Sequence, residues 1–244
     1  MTTAPTQTIS LNDIGLRYLG GLQHLSDLMV LTWAGVRNVS EESYEETFRS
    51  VAGLPSTQFR FPLDTARAEA ARWWFKSSLT EVLGLCLVFL EDVRKVSGVV
   101  AFNAAKAAGT GDLAALAAEI NANTGPLDIP TRLQHLRSHY GLNIPLESEI
   151  LSLVAVNRCF LQASGMIPKG ATLTLHLKAV QPVPGETNPH LTDYRRTWKS
   201  EERITVLREE HAAVFTTISV FLSSMLASVQ DFAKASGLVE NPPT

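Results

Sequence analysis

The 244 residues carry 21 Lys and Arg against 24 Asp and Glu, a net charge of −3, with 45% hydrophobic and 18% charged residues. Such a chain can bury a substantial core, and neither a disordered polyelectrolyte nor a protein drawn by global charge to nucleic acid or anionic membranes fits it. Aromatics at 7% leave the core to Leu, Val, Ile and Ala, a balance that favours helices over sheets.

Met1 to Ser10 reads as a polar lead without the basic and apolar regions of a signal peptide, so a cytoplasmic location is expected. Residues 11–240 read as one helical domain. Leu22, Leu25, Leu28, Met29, Trp33 and Val36 recur at helical spacing, with Gly20-Gly21 as a hinge before them. Ser40 is suited to cap a short acidic helix through about Val51. Leu63 to about Val96 reads as the longest helix, apolar on two faces and therefore central. Beyond it an alanine-rich stretch is loosely patterned up to the turn Gly109-Thr110-Gly111. Asp112 then caps a helix to about Asn121, which Gly125-Pro126 ends.

Pro130 opens a helix carrying Leu133, Leu136 and Tyr140, closed by Gly141. The next follows Pro145, with Ile150, Leu153, Val154, Asn157, Phe160 and Leu161 facing inward. From Thr172 to Ala179 the period changes to two, which predicts a strand with one buried face. Tyr194 to Lys199 is its expected hairpin partner. A last helix is predicted from about Glu201 to Ala235. Its segment Ala212–Gln230 holds no charge, but six Ser and Thr punctuate it and its large residues fall on one stripe. That favours close helix packing, in a core or a dimer seam, over a membrane span. The fold class is thus mainly α, a helical bundle with a small β-hairpin before the last helix.

Chemistry is sparse. The glycine-rich phosphate loops, the G-x-S-x-G elbow and the H-E-x-x-H zinc motif are missing from the sequence. His135 and His139 share a helix face but have no carboxylate between them, so neither a metal nor a cofactor is expected. His24, His190 and His211 read as isolated surface residues, and His176 falls on the polar side of the strand. Glu81, Glu91 and Asp92 read as ordinary polar breaks in the long helix. Cys86 and Cys159 read as free thiols within apolar helical patterns. Arg195, Arg196, Lys199 and Arg203 form a candidate basic patch for phosphate groups, although Asp193, Glu201 and Glu202 interleave with them.

Val156-Asn157-Arg158-Cys159-Phe160-Leu161-Gln162-Ala163-Ser164-Gly165-Met166-Ile167 closes one helix and leads toward the strand. It resembles the signature segment of HEPN-type helical domains. The similarity extends over about Leu113 to Ala179, and the last long helix fits its place in that family. The resemblance implies an Arg and a His that cleave RNA without metal, commonly at a dimer interface. Asn157 stands where that Arg belongs and Gln162 where the His belongs, and glutamine cannot take and return a proton near neutral pH.

The expectation is therefore a non-catalytic, HEPN-like homodimer with a binding or regulatory role toward RNA or a nucleotide. Its candidate groove holds Asn157, Arg158 and Gln162. Two alternatives stand beside it: a divergent ribonuclease pairing Arg158 with His176 or His139, and an unrelated helical assembly scaffold.

Overall fold

The computed structural model describes residues 10–52, 61–121, 128–181 and 190–238. It is 73% helical, with seven helices and one two-stranded antiparallel hairpin among the described residues, so the mainly α class holds. The order is α1 (Leu11–Asn38), α2 (Glu41–Ala52), α3 (Leu63–Ala107), α4 (Leu113–Asn121), α5 (Ile129–Tyr140), α6 (Glu147–Ala163), β1 (Leu173–Gln181), β2 (His190–Trp198) and α7 (Arg208–Ala235). The expected break at Gly125-Pro126 and most of the expected polar lead lie outside the described residues.

Local signals set several helix ends. The Ser10 and Asp128 side chains accept from the N–H groups of Asp13 and Thr131, so each satisfies a donor that the first helical turn leaves unpaired. Ser40 does the same for Ser43 before α2. Gly141 stops α5 in the left-handed conformation at φ 68°. The Gly20-Gly21 hinge does not form, because α1 begins at Leu11 and runs through both residues. Packing outweighs a glycine cost of about 1 kcal/mol each. A side chain on Gly21 would press on Leu85 of α3 at 3.3 Å.

α3 is the hub, touching α1, α4, α5, α6 and α7. Phe75, Val82, Cys86, Phe89 and Leu90 are at most 1% exposed, facing Ile150 and Leu153 of α6 and Ile218, Phe221 and Met225 of α7. α3 continues past the expected end near Val96, because its alanine-rich tail is a strong helix former and Val100 and Ala101 pack on the core. α6 buries Ile150, Leu153, Val156 and Phe160, whereas Leu161, expected inside, is 57% exposed.

α7 starts at Arg208 and not near Glu201. Residues 201–204 are held instead against the turn after α6. Glu201 N–H donates to the Ile167 carbonyl at 3.0 Å, and Ile204 N–H to that of Gly165 at 2.8 Å, with the Ile204 side chain fully buried. By length and composition α7 could cross a bilayer, and half of its most apolar window is buried within this chain. Its apolar stripe is therefore spent on the chain's own core.

In the hairpin Leu175 lies opposite Arg196 and His176 opposite Arg195. The other edge of β1 is closed by side chains. His176 N–H donates to Ser152 Oγ of α6 at 2.9 Å, and Lys178 N–H to Thr217 Oγ1 of α7 at 2.8 Å. An edge strand left with open N–H groups is a template for unwanted pairing, and these hydroxyls cover it.

Candidate functional site

The end of α6 brings the three groove candidates to one region but not to one face. Residues 158 and 162 are a helical turn apart, so Arg158 and Gln162 share a side, and both are exposed. Asn157 turns toward α3, where the Thr80 hydroxyl donates to its Oδ1 at 2.9 Å. Arg158 lies near Asp128 at the start of α5. Hydrogen bonds from Thr131 hold the Asp128 carboxyl below its ordinary range, and the Arg158 charge adds to this. His139 sits eleven residues further along, about 16 Å at 1.5 Å per residue. His176 stands across the hairpin from Arg195.

The α3–α6 seam around Asn157 is open, with Lys76, Glu81 and Arg158 beside it. Trp73, Thr80, Gly84 and Val88 fall on one face of α3, all exposed, Trp73 to 64% and Val88 to 57%. Thr80 meets Asn157, and the Phe75 ring lies tilted at 5.8 Å from Phe160, so the helices run antiparallel. The exposed Leu161 thereby falls toward the Trp73 end. Among the described residues, beyond its own helix turn, nothing lies within 4 Å of where a Gly84 side chain would begin.

The basic patch does not assemble. Alternation along β2 sends Arg195 outward and Arg196 inward. Arg196 makes two 2.8 Å bonds to Glu210, a carboxylate only 1% exposed, and its guanidinium stands 5.0 Å over Trp198. Glu210 also accepts from the Tyr194 hydroxyl and the Leu207 N–H, both at 2.7 Å. Arg203 pairs with Glu69 of α3 at 3.2 Å. Lys199 and Arg195 remain exposed, too few for a phosphate cradle.

The densest polar chemistry lies where α3, α4 and α5 meet. Arg94 is 1% exposed and spends its donors on both Glu91 oxygens, on Glu119 and on the carbonyls of Glu119 and Ile120. Arg132, also buried, binds Glu91 at 2.6 Å. Glu119 accepts further from the Tyr140 hydroxyl at 2.9 Å and lies 3.3 Å from His135 Nε2. Burial works to raise the Glu91 carboxyl, but Arg94 and Arg132 outweigh it and hold it below its ordinary range. Glu119 is lowered likewise, by Tyr140, Arg94 and His135 acting against burial. Glu91 and Asp92 are thus not ordinary polar breaks, since Asp92 also accepts from Tyr18 at 2.7 Å. A cavity of about 260 Å³ beside Gly98, Phe102, Leu116 and Tyr140 adjoins this network. Arg94 thereby fastens α4 to α3, while Arg132 keeps a buried Nε without a partner among the described residues.

Two single residues correct the sequence reading. His211 is not a surface residue but 1% exposed, stacked 4.7 Å from Phe75. It shares a helix face with Val214 and Ile218, a spacing that could have revealed it. Arg94 likewise interrupts an apolar face, three residues after Glu91. His135 and His139 stack at 5.0 Å, and no metal-binding cluster of three His, Cys, Asp or Glu occurs among the described residues. Both cysteines are free, and burial pushes the Cys86 thiol up to about 12.

Comparison of this chain with models of known protein families, with curated proteins and with solved structures gives no match in any of the three.

Proposed function

We propose that this chain is a non-catalytic helical module of HEPN-like type, a homodimer with a binding or regulatory role toward RNA. The observation that carries this reading is the exposed seam of Trp73, Gly84, Val88 and Leu161 around Asn157. Two copies joined there bury aromatic and aliphatic surface that one copy leaves in water, the kind of residue that anchors stable interfaces. Such a dimer brings two exposed Arg158 side chains to one composite groove, where each can meet a phosphate. Catalysis is not supported, since Asn157 and Gln162 hydrogen-bond without exchanging protons near neutral pH. A cytoplasmic location without membrane attachment accords with the burial of the α7 stripe.

Light scattering behind size-exclusion chromatography is expected to give twice the 26.6 kDa chain mass. Gly84→Arg, at a site where an added Cβ meets no described residue within 4 Å, is expected to give a folded monomer. The dimer is also expected to bind a short single-stranded RNA by fluorescence anisotropy, with Arg158→Gln weakening it. A wild-type monomer overturns the dimer. RNA cleavage that disappears in Gln162→Ala overturns the non-catalytic reading.

A further inference from the structure

A second cavity lies away from the seam, where the end of α1 and the first turns of α3 and α7 converge. Its volume is about 760 Å³, within the range of sites that enclose a small organic ligand. Val30, Val36 and Ala71 supply apolar wall, while Arg37, Arg67 and Arg208 bring three guanidiniums to its rim. None of the described lining residues is a carboxylate.

The three cations are not there to serve the fold equally. Arg67 is the structural member, binding the Val39 carbonyl at 2.5 Å and Asp64 at 3.3 Å. Even so, its Nε is buried without a partner among the described residues. Arg37 and Arg208 are exposed, the first in the last turn of α1, the second opening α7. Positive charge over an apolar floor selects a ligand with the complementary division, an anionic head on an aliphatic body.

We infer that this cleft binds a single-chain anionic amphiphile, with a carboxylate or phosphate head held by Arg37, Arg67 and Arg208 and an alkyl chain lying between α1, α3 and α7. Trp33 lines the same cleft, and its indole N–H is tied to His211 behind it. Occupancy therefore changes the surroundings of one tryptophan. Each buried methylene adds up to about four-fold in affinity, until the cleft is full.

Calorimetric titration with decanoate and decyl phosphate, below their micelle concentrations, tests this on the full chain, with Trp33 fluorescence as a second readout. Both probes are expected to bind one per chain, and the tighter identifies the head group. Inorganic phosphate and decanol are each expected to bind at least about ten-fold more weakly, because each lacks one half of the recognised chemistry. Arg37→Gln combined with Arg208→Gln, both at exposed positions, is expected to weaken the two probes about ten-fold and leave decanol unchanged. Ala212→Phe, which fills the cleft from an exposed site, is expected to abolish binding of either probe. Decanol binding as tightly as decanoate overturns the inference, as does indifference to the double substitution. Binding to phosphatidylglycerol vesicles with none to the monomeric probes also overturns it, in favour of a membrane surface.

Discussion

The indole N–H of Trp33 donates to Nδ1 of His211 at 2.6 Å, joining α1 to the first turn of α7 inside the core. His211 is nearly inaccessible, and burial alone pushes its imidazole down to about 4. The Trp33 bond requires that Nδ1 accept, which only the neutral ring can do.

A pH dependence follows from that contact. The unfolded chain takes up a proton at His211 near the ordinary value of about 6.5, while the folded chain resists until about 4. Stability is therefore complete above pH 6.5 and is lost as pH falls toward 4, by about 3 kcal/mol in total. Glu91 and Glu119, whose carboxyls are held low, lose their contribution only below the ordinary carboxylate range. Between pH 4.5 and 6.5 His211 therefore contributes a slope of its own. Urea unfolding at a series of pH values is expected to show it, and His211→Gln to flatten it over that window.

Removing Arg94 takes a buried cation from two carboxylates at once, leaving Glu91 to Arg132 and Glu119 to Tyr140 and His135. Arg94→Met is expected to destabilise the protein by about 3 kcal/mol, because Glu91 and Glu119 lose a shared buried charge that helps offset their desolvation. The damage concentrates on α4, which Arg94 fastens through the Glu119 side chain and two carbonyls. Hydrogen exchange should rise in Leu113–Asn121 before it rises in α7. Uniform loss of protection contradicts this account.

Gly165 and Gly141 separate conformation from space. Both have positive φ, 79° and 68°, so alanine at either position costs about 1 kcal/mol through the backbone. Only at Gly165 does the new Cβ collide, 2.9 Å from Phe160 Cε1, whereas at Gly141 it meets nothing within 4 Å. Thermal denaturation is expected to show Gly165→Ala losing clearly more stability than Gly141→Ala. Equal losses would remove the steric part of the argument.

Thr217→Val keeps the shape of the side chain but leaves the Lys178 N–H without its acceptor. The expected cost is about 1–3 kcal/mol, the desolvation of a backbone donor left unpaired. Ser152→Ala should do the same at His176. Amide exchange at residues 176 and 178, measured by NMR, distinguishes this edge effect from a general loosening.

Much of the scaffold was readable in the sequence because its signals are local. Ser10, Ser40 and Asp128 cap helices through side chains three residues from the N–H they satisfy. Alternation from Leu173 to Ala179 needs no distant partner to reveal a strand. The errors arose where packing overrode propensity, as in α1 across Gly20-Gly21, or where distant chain completed an element, as in Ile204 docking on the α6 turn.

Of the candidate residues, the sequence by itself located Asn157, Arg158 and Gln162 at a helix end and showed that no proton-transfer pair stands at 157 and 162. It grouped Arg195 and Arg196 in one basic patch, although strand alternation sends them to opposite faces. Only the tertiary structure decided that Asn157 is tied to Thr80 while Arg158 stays open, and that Glu210 neutralises Arg196. It alone buried His211 behind Trp33 and gathered Arg37, Arg67 and Arg208 around one cleft. Spacing along a helix or strand fixes which side chains share a face. What that face meets depends on segments tens to hundreds of residues away, and burial and charge pairing are set by those meetings.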